Sequence, residues 1–225
     1  MCIRDRSRPF GQRGIALNAL SGLDIALWDL NGKQLGQPVS RLIGGRFREK
    51  LLAYATGFYR YDGEKYPETA VGEALKLKSA GFKGMKLKLG FTPDADIEYV
   101  RAVRHAIGHD IMLMADFNAC YSQAVARRII RELEPEKLYF YEEPLTPEDM
   151  EGYRAIRNIS SSYIAAGEEI FGKFHMNEWL RAGALDIYQP DLCSAGGFTE
   201  CKKMAAIAQA YNCAVIPLSL IHISE

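Results

Sequence analysis

GMKLKLG at residues 84–90, IMLMADFN at 111–118, LYFYEEP at 138–144 and YIAAGEE at 163–169 decide the fold of this chain. Each is a short apolar run ending in charged or amide side chains, and each precedes a stretch with helical spacing of apolar residues. Outward from them the alternation continues. LLAYATG at 51–57 precedes a predicted helix over 68–80, and further helices are predicted over 94–107, 122–134, 147–159 and 173–182. ALDIYQP at 184–190, a helix over 197–211 and CAVIP at 213–217 complete the series. Seven strands with six intervening helices predict an α/β chain of βα units, its parallel sheet covered on both faces. An open doubly wound sheet would carry a glycine-rich turn after its first strand, but FYRYDGEKY stands there, at 58–66. Polar residues at successive strand ends instead point to a (βα)8 TIM-type barrel, truncated to seven strands.

Upstream, RGIALNALSGLDIALWDLNGK at 13–33 predicts one helix with an apolar stripe of Ile15, Leu17, Leu20, Leu23, Ile25, Ala26 and Trp28. VSRLIGG at 39–45 predicts a short helical turn ended by glycines. Composition narrows the function. With 28 basic residues against 28 acidic in 225, there is no basic excess for a nucleic-acid partner. No apolar run is long enough for a membrane span. Five scattered cysteines without a CxxC pair are expected as reduced thiols of a cytoplasmic protein.

The strand ends carry the chemistry. In GMKLKLG, alternation points Lys86 and Lys88 the same way. A solvated pair on an edge strand is the ordinary meaning of that pattern; on a covered strand the mouth is the inexpensive place for two ammonium groups. Asp116, Glu142 and Glu168 end three successive strands and are spaced 26 residues apart. Helix-capping acids are common at such positions. Three in register, however, would repel one another without a cation between them, and oxygen-only donors favour Mg²⁺. Asn118 shares the face of Asp116, and Glu143 points away from that of Glu142. Gln189 and Asp191 follow the sixth strand, where Asp191 could orient a histidine on the seventh. Cys120 is expected to be a passive loop thiol, His105 and His109 surface residues, and His175 a helix-start residue.

The helix ALSGLDIALWDLNGK, the pair Lys86 and Lys88, the carboxylates Asp116, Glu142 and Glu168, and QPDLCSAGG agree in order with one family pattern. The chain resembles the enolase superfamily in its mandelate racemase and muconate-lactonizing branch, from about Gly11 to Pro217. The resemblance implies Asp116, Glu142 and Glu168 as Mg²⁺ ligands, and Lys88 as the base that removes the proton α to a carboxylate. Lys86 would hold positive charge beside it, and Asn118 would contact the substrate or support the ligands. The implied substrate is a small acid sugar or its lactone, converted by cycloisomerisation or dehydration through an enediolate. A racemase or epimerase of the same branch, or an inactive metal-binding or scaffold barrel, are the alternatives.

The departures from that pattern define the expected organisation. Residues 8–49 are expected to link a largely missing N-terminal capping domain to a barrel over 50–217. Residues 1–7 (MCIRDRS) and 218–225 (LSLIHISE) are expected to be foreign tails of sequencing-adapter type. The family pattern has histidine directly after the proline of strand seven, whereas Leu218 follows Pro217 here, and His222 is out of register for that role. The fragment is expected to be inactive, and the full-length protein a homo-oligomer.

Overall fold

The computed structural model describes residues 9, 11–61 and 63–218. The expected tail at 1–7, and that at 218–225 apart from Leu218, lie outside the described residues, as does His222. Two compact units divide the chain, one of residues 51–165 and one formed by the residues before and after it.

Residues 51–165 begin with β1 (Ala55–Thr56), α3 (Glu68–Ser79), β2 (Gly84–Lys88) and α4 (Pro93–Ile107). β3 (Met112–Asp116), α5 (Gln123–Leu133), β4 (Phe140–Glu142), α6 (Met150–Arg157) and β5 (Tyr163–Ala166) follow. The pairs β1–β2, β2–β3, β3–β4, β4–β5 and β6–β7 are parallel, and neighbours follow chain order from β1 to β7. This is the α/β class and strand order of a (βα)-type barrel, with seven strands among the described residues, as the alternation predicts. The strands form because they are buried on both faces: Met85 and Leu87 on one side of β2, Lys86 on the other. α5 presents Ala126, Ile129, Ile130 and Leu133 inward at helical spacing and Arg128 and Arg131 outward.

α4 shows how local chemistry sets an element. Thr92 caps it, its Oγ1 accepting from the Ala95 amide at 3.3 Å, and Pro93 occupies the first turn. Near its far end the buried Arg104 donates to the carbonyls of Glu136, Gly108, Ile111 and Lys137, at 2.8–3.3 Å. These carbonyls lie in the turns that lead into β3 and β4.

β1 is shorter than LLAYATG predicts. Ala55 pairs with Met85, so Leu51 and Leu52 fall level with the turn that ends α3, where no strand exists to pair with them. Both are exposed.

The other unit holds α1 (Ile15–Leu35) and α2 (Val39–Leu42), then α7 (Gly172–Arg181), β6 (Ile187–Tyr188), α8 (Gly197–Ala210) and β7 (Ala214–Val215). α1 uses the predicted apolar stripe only in part, at Leu17 and Trp28. Leu17, Ser21 and Gly32 are its buried residues, whereas Ile15, Leu23, Leu27 and Leu30 are exposed. Its docking face is polar because it meets a helix start, where free amides need acceptors. Ser21 Oγ accepts from the Gly196 amide at 2.8 Å, and Asp24 Oδ2 from the Thr199 amide at 3.0 Å. Trp28 Nε1 donates to Thr199 Oγ1 at 2.9 Å. Gly197 is required at this contact: its φ is +71°, and a Cβ there would lie 2.4 Å from Asp24 Oδ2.

Candidate active site

Register assembles the site within residues 51–165. Lys88 pairs with Asp116, and Asp116 with Glu142, so three strand ends stand at one level. Lys86 pairs with Met114, two residues below. Its Nζ lies 2.5 Å from Glu142 Oε1 and 3.4 Å from Asp116 Oδ2. Lys88 Nζ donates to Asp116 Oδ2 at 2.5 Å and to Asn118 Oδ1 at 3.1 Å. Both lysines therefore lie on one side of β2, as the alternation predicts, and both reach the Asp116 carboxylate.

The backbone beyond the strands holds this arrangement. The Leu89 amide donates to the Asp116 carbonyl at 2.8 Å, and the Phe117 amide to the Glu142 carbonyl at 2.9 Å. Asp116 Oδ1 accepts from the Asn118 amide at 2.9 Å, closing a turn in which Asn118 and Ala119 take positive φ. Glu143 also adopts a positive φ, of 43°. β4 ends at Glu142, so strand alternation does not set the direction of the Glu143 side chain.

Asp116 is fully buried, and Glu142 and Lys86 are each 2% exposed. Burial pulls the Lys86 ammonium toward its neutral form, but Glu142 and Asp116 outweigh it and the net shift is upward. Lys86 thus stays protonated, a fixed positive charge. Burial, then the Asp116 and Asp96 charges, push the Cys120 thiol up, which suits a passive residue rather than a nucleophile.

The remaining predicted residues lie in the other unit. Glu168 follows β5, half-buried, after Gly167. A Cβ on Gly167 would lie 2.5 Å from the Gln189 backbone nitrogen, so only glycine allows that close approach. Gln189 is buried, and its amide donates to the Ala166 carbonyl at 2.9 Å. Asp191 Oδ1 accepts from the Cys193 amide at 2.8 Å. Leu218 forms a parallel bridge with Asp191, its amide donating to the Pro190 carbonyl at 2.9 Å. His175 contacts Arg13 and accepts from Trp179 Nε1 at 3.2 Å.

Among the described residues no three His, Cys, Asp or Glu side chains form a group that could hold a metal ion. Asp116 and Glu142 instead hold the two lysines. Their donor chemistry fits a hard divalent cation: oxygen only, adjacent in register, and buried so that positive charge must balance them.

Sequence reasoning passed over Asp96, Arg60 and Tyr121. Thr92 and Pro93 mark the start of α4, but nothing in the sequence says that a first-turn acid is turned inward. Ser21, Asp24 and Trp28 had a readable signal, since polar groups at i, i+3 and i+7 share one helix face.

The enolase C-terminal domain-like family matches residues 69–224, and the N-terminal domain of mandelate racemase and muconate lactonizing enzymes matches 7–44. D-galactarolactone cycloisomerase of Agrobacterium fabrum is 40% identical over 210 residues, which cover 93% of this chain and 56% of that protein. The crystal structure of 3,6-anhydro-D-galactonate cycloisomerase from Zobellia galactanivorans superposes with a TM-score of 0.91 at 40% identity, covering 96% of this chain and 60% of that one. L-Talarate dehydratase from Polaromonas sp. JS666, solved with Mg and L-glucarate, gives 0.88 at 29% identity, covering 97% of this chain and 61% of that one. The chain thus spans less than two thirds of each. It belongs to the enolase superfamily, in the mandelate racemase and muconate-lactonizing branch.

Proposed function

We propose that the protein to which this chain belongs removes the proton α to the carboxylate of an acid sugar or its lactone, using Lys88 as the base. The observation that carries this reading is the buried ladder in which Lys86 and Lys88 both contact Asp116 and Lys86 also contacts Glu142. Asp116 and Glu142, with Glu168 as the third ligand expected from sequence, would hold Mg²⁺. When bound, the ion supplies electrostatic stabilisation for the negative charge that develops on the substrate carboxylate.

The chain's own residues do the rest. Lys88, at the end of β2, is the group placed to take the proton, and Asn118 Oδ1 would orient its Nζ through one hydrogen bond. Lys86 remains cationic and favours the anionic enediolate. Gln189 and Asp191 at the end of β6 are the polar substrate contacts expected from sequence. Elimination of a β-oxygen substituent would then give dehydration, and expulsion of a lactone oxygen would give cycloisomerisation. Racemisation needs a second base besides Lys88. In the family pattern a histidine beside Asp191 supplies it, and position 218, where Leu218 bridges Asp191, lies in the expected foreign tail.

The test is deuterium incorporation from D₂O at the α-carbon of galactarolactone and galactonate, followed by NMR with and without Mg²⁺. Exchange is expected to require Mg²⁺ and to fall by about 10²–10⁴ in Lys88→Ala, the range for loss of a positioned base. If Lys88→Ala exchanges as fast as the wild type, the assignment of the base is wrong. Metal binding without exchange would identify a metal-binding barrel without this chemistry.

A further inference from the structure

Asp96 is fully buried in the first turn of α4, a place where acids ordinarily face solvent and interact with the helix dipole. The cap of this helix is already supplied by Thr92. The side-chain partners of Asp96 all come from outside α4. Its Oδ2 accepts from the Gly90 amide at 2.8 Å, the Phe91 amide at 3.3 Å and the Tyr121 hydroxyl at 2.6 Å. Its Oδ1 faces Arg60 Nη2 at 3.5 Å. The Arg60 guanidinium lies 3.7 Å from the Phe91 ring centroid, which shelters the pair. One carboxylate thus ties together the segments that follow β1, β2 and β3.

Two of these segments carry the proposed machinery. Gly90 is two residues beyond Lys88, and Tyr121 is three beyond Asn118. They are also in close contact: a Cβ on Gly90 would lie 2.7 Å from Cys120 Sγ, and the Gly90 φ is +109°. Lys88 Nζ and Asn118 Oδ1 also join the same two segments, at 3.1 Å.

We propose that Asp96 is a positioning residue that fixes the Gly90 and Tyr121 segments against each other and so sets Lys88 against Asn118 and Asp116. Lys88 leaves β2 with its backbone held on one side by the ladder to β3. Just beyond it, Asp96 holds the Gly90 and Phe91 amides. A buried carboxylate with four donors gives a stiff junction, because losing any partner leaves charge without compensation. The catalytic consequence rests on the function proposed above; the positional one does not.

The experiment compares wild type with Asp96→Asn, Asp96→Ala and Tyr121→Phe by three readouts. Amide hydrogen exchange of residues 89–92 and 119–122 is expected to rise about tenfold in Asp96→Asn, with α4 from residue 97 onward unchanged. Lys88 modification by an amine-reactive ester, read by mass spectrometry, is expected to rise about fivefold as its partners drift, on the scale of a lost hydrogen bond. The deuterium-incorporation assay is expected to show kcat reduced about tenfold and KM changed by less than about twofold. Tyr121→Phe should move all three in the same direction by less, and it decides the matter if Asp96→Ala does not fold. Faster loop exchange with Lys88 labelling unchanged overturns the proposal, as does loss of protection along the whole of α4. A labelling shift in protein that exchanges no α-proton upholds the positioning role and sinks the catalytic reading.

Discussion

The two ends of α4 solve the same problem with opposite charges. Asp96 at the N-terminal end and Arg104 near the C-terminal end are both buried, 0% and 3% exposed, and each gathers groups from neighbouring turns. Their signs suit the helix dipole. What differs is the company they keep. Arg104 bonds only to backbone carbonyls, in the turns that lead into β3 and β4. Asp96 bonds to two amides, a phenol and a guanidinium, in segments that carry Lys88 and Asn118 toward the site. A closed set of backbone contacts at the strand starts supports stability. At the strand ends, where a barrel carries its chemistry, the same device is linked to the segment of the proposed base Lys88.

This contrast can be broken by experiment, and the largest effect belongs to Arg104. Arg104→Ala removes the donors of four carbonyls and is expected to cost roughly 3–5 kcal/mol in urea unfolding. Lys88 labelling in that variant should remain at the wild-type rate; a rise would erase the distinction between the two ends. Glu142→Gln leaves Lys86 with Asp116 as its ionised partner, and a loss of about 2–3 kcal/mol is expected for a weakened buried pair. No change in its unfolding midpoint would show that the strand-end charges contribute nothing to stability.

The pH dependence of that pair has a definite sign. The folded pKa of Lys86 lies above its unfolded value, so its stabilising effect is full below the ordinary lysine pKa of about 10.4. It is lost as pH rises through the higher folded value. The stability gap between wild type and Lys86→Met in Mg²⁺-free buffer should therefore shrink between about pH 9 and pH 12. A gap that widened over that range would reverse the assignment.

Smaller effects calibrate the scale outside residues 51–165. Asp24→Ala deletes an acceptor at the start of α8 and should lower the stability by about 1 kcal/mol, the usual cost of a lost cap. Thermal unfolding would measure it, and a neutral result would mean that water replaces the carboxylate. Lys33→Ala breaks an exposed i, i+4 pair with Asp29 and should change stability by no more than about 0.5 kcal/mol.

Much of the fold was legible because strand and helix periods are local. GMKLKLG yields β2 at Gly84–Lys88, and the helix predicted over 94–107 is α4 at Pro93–Ile107. The lysine pair was legible for the same reason: period-two alternation puts Lys86 and Lys88 on one face whatever surrounds the strand. α1 was legible as a helix but not in its packing. Periodicity singled out Leu17 and Trp28, which do pack or dock, together with Ile15 and Leu23, which are exposed, but not Ser21 and Asp24, which the amides of the partner helix start need. Which face a helix buries depends on its neighbour, and that information is not in the helix.

The sequence by itself determined the α/β class, the order of the elements, the Lys86 and Lys88 pair and the carboxylates at the strand ends. Only the tertiary structure decided their level and their partners. Strand register across three chain segments brings Lys88, Asp116 and Glu142 to one height, and register is a property of paired strands rather than of any one of them. The same holds for Asp96. Its sequence context reads as an ordinary first-turn acid, and only the approach of Gly90, Phe91, Tyr121 and Arg60 makes it a buried junction. Burial of charge depends on contacts between residues distant in the chain, so it appears only when the chain is folded.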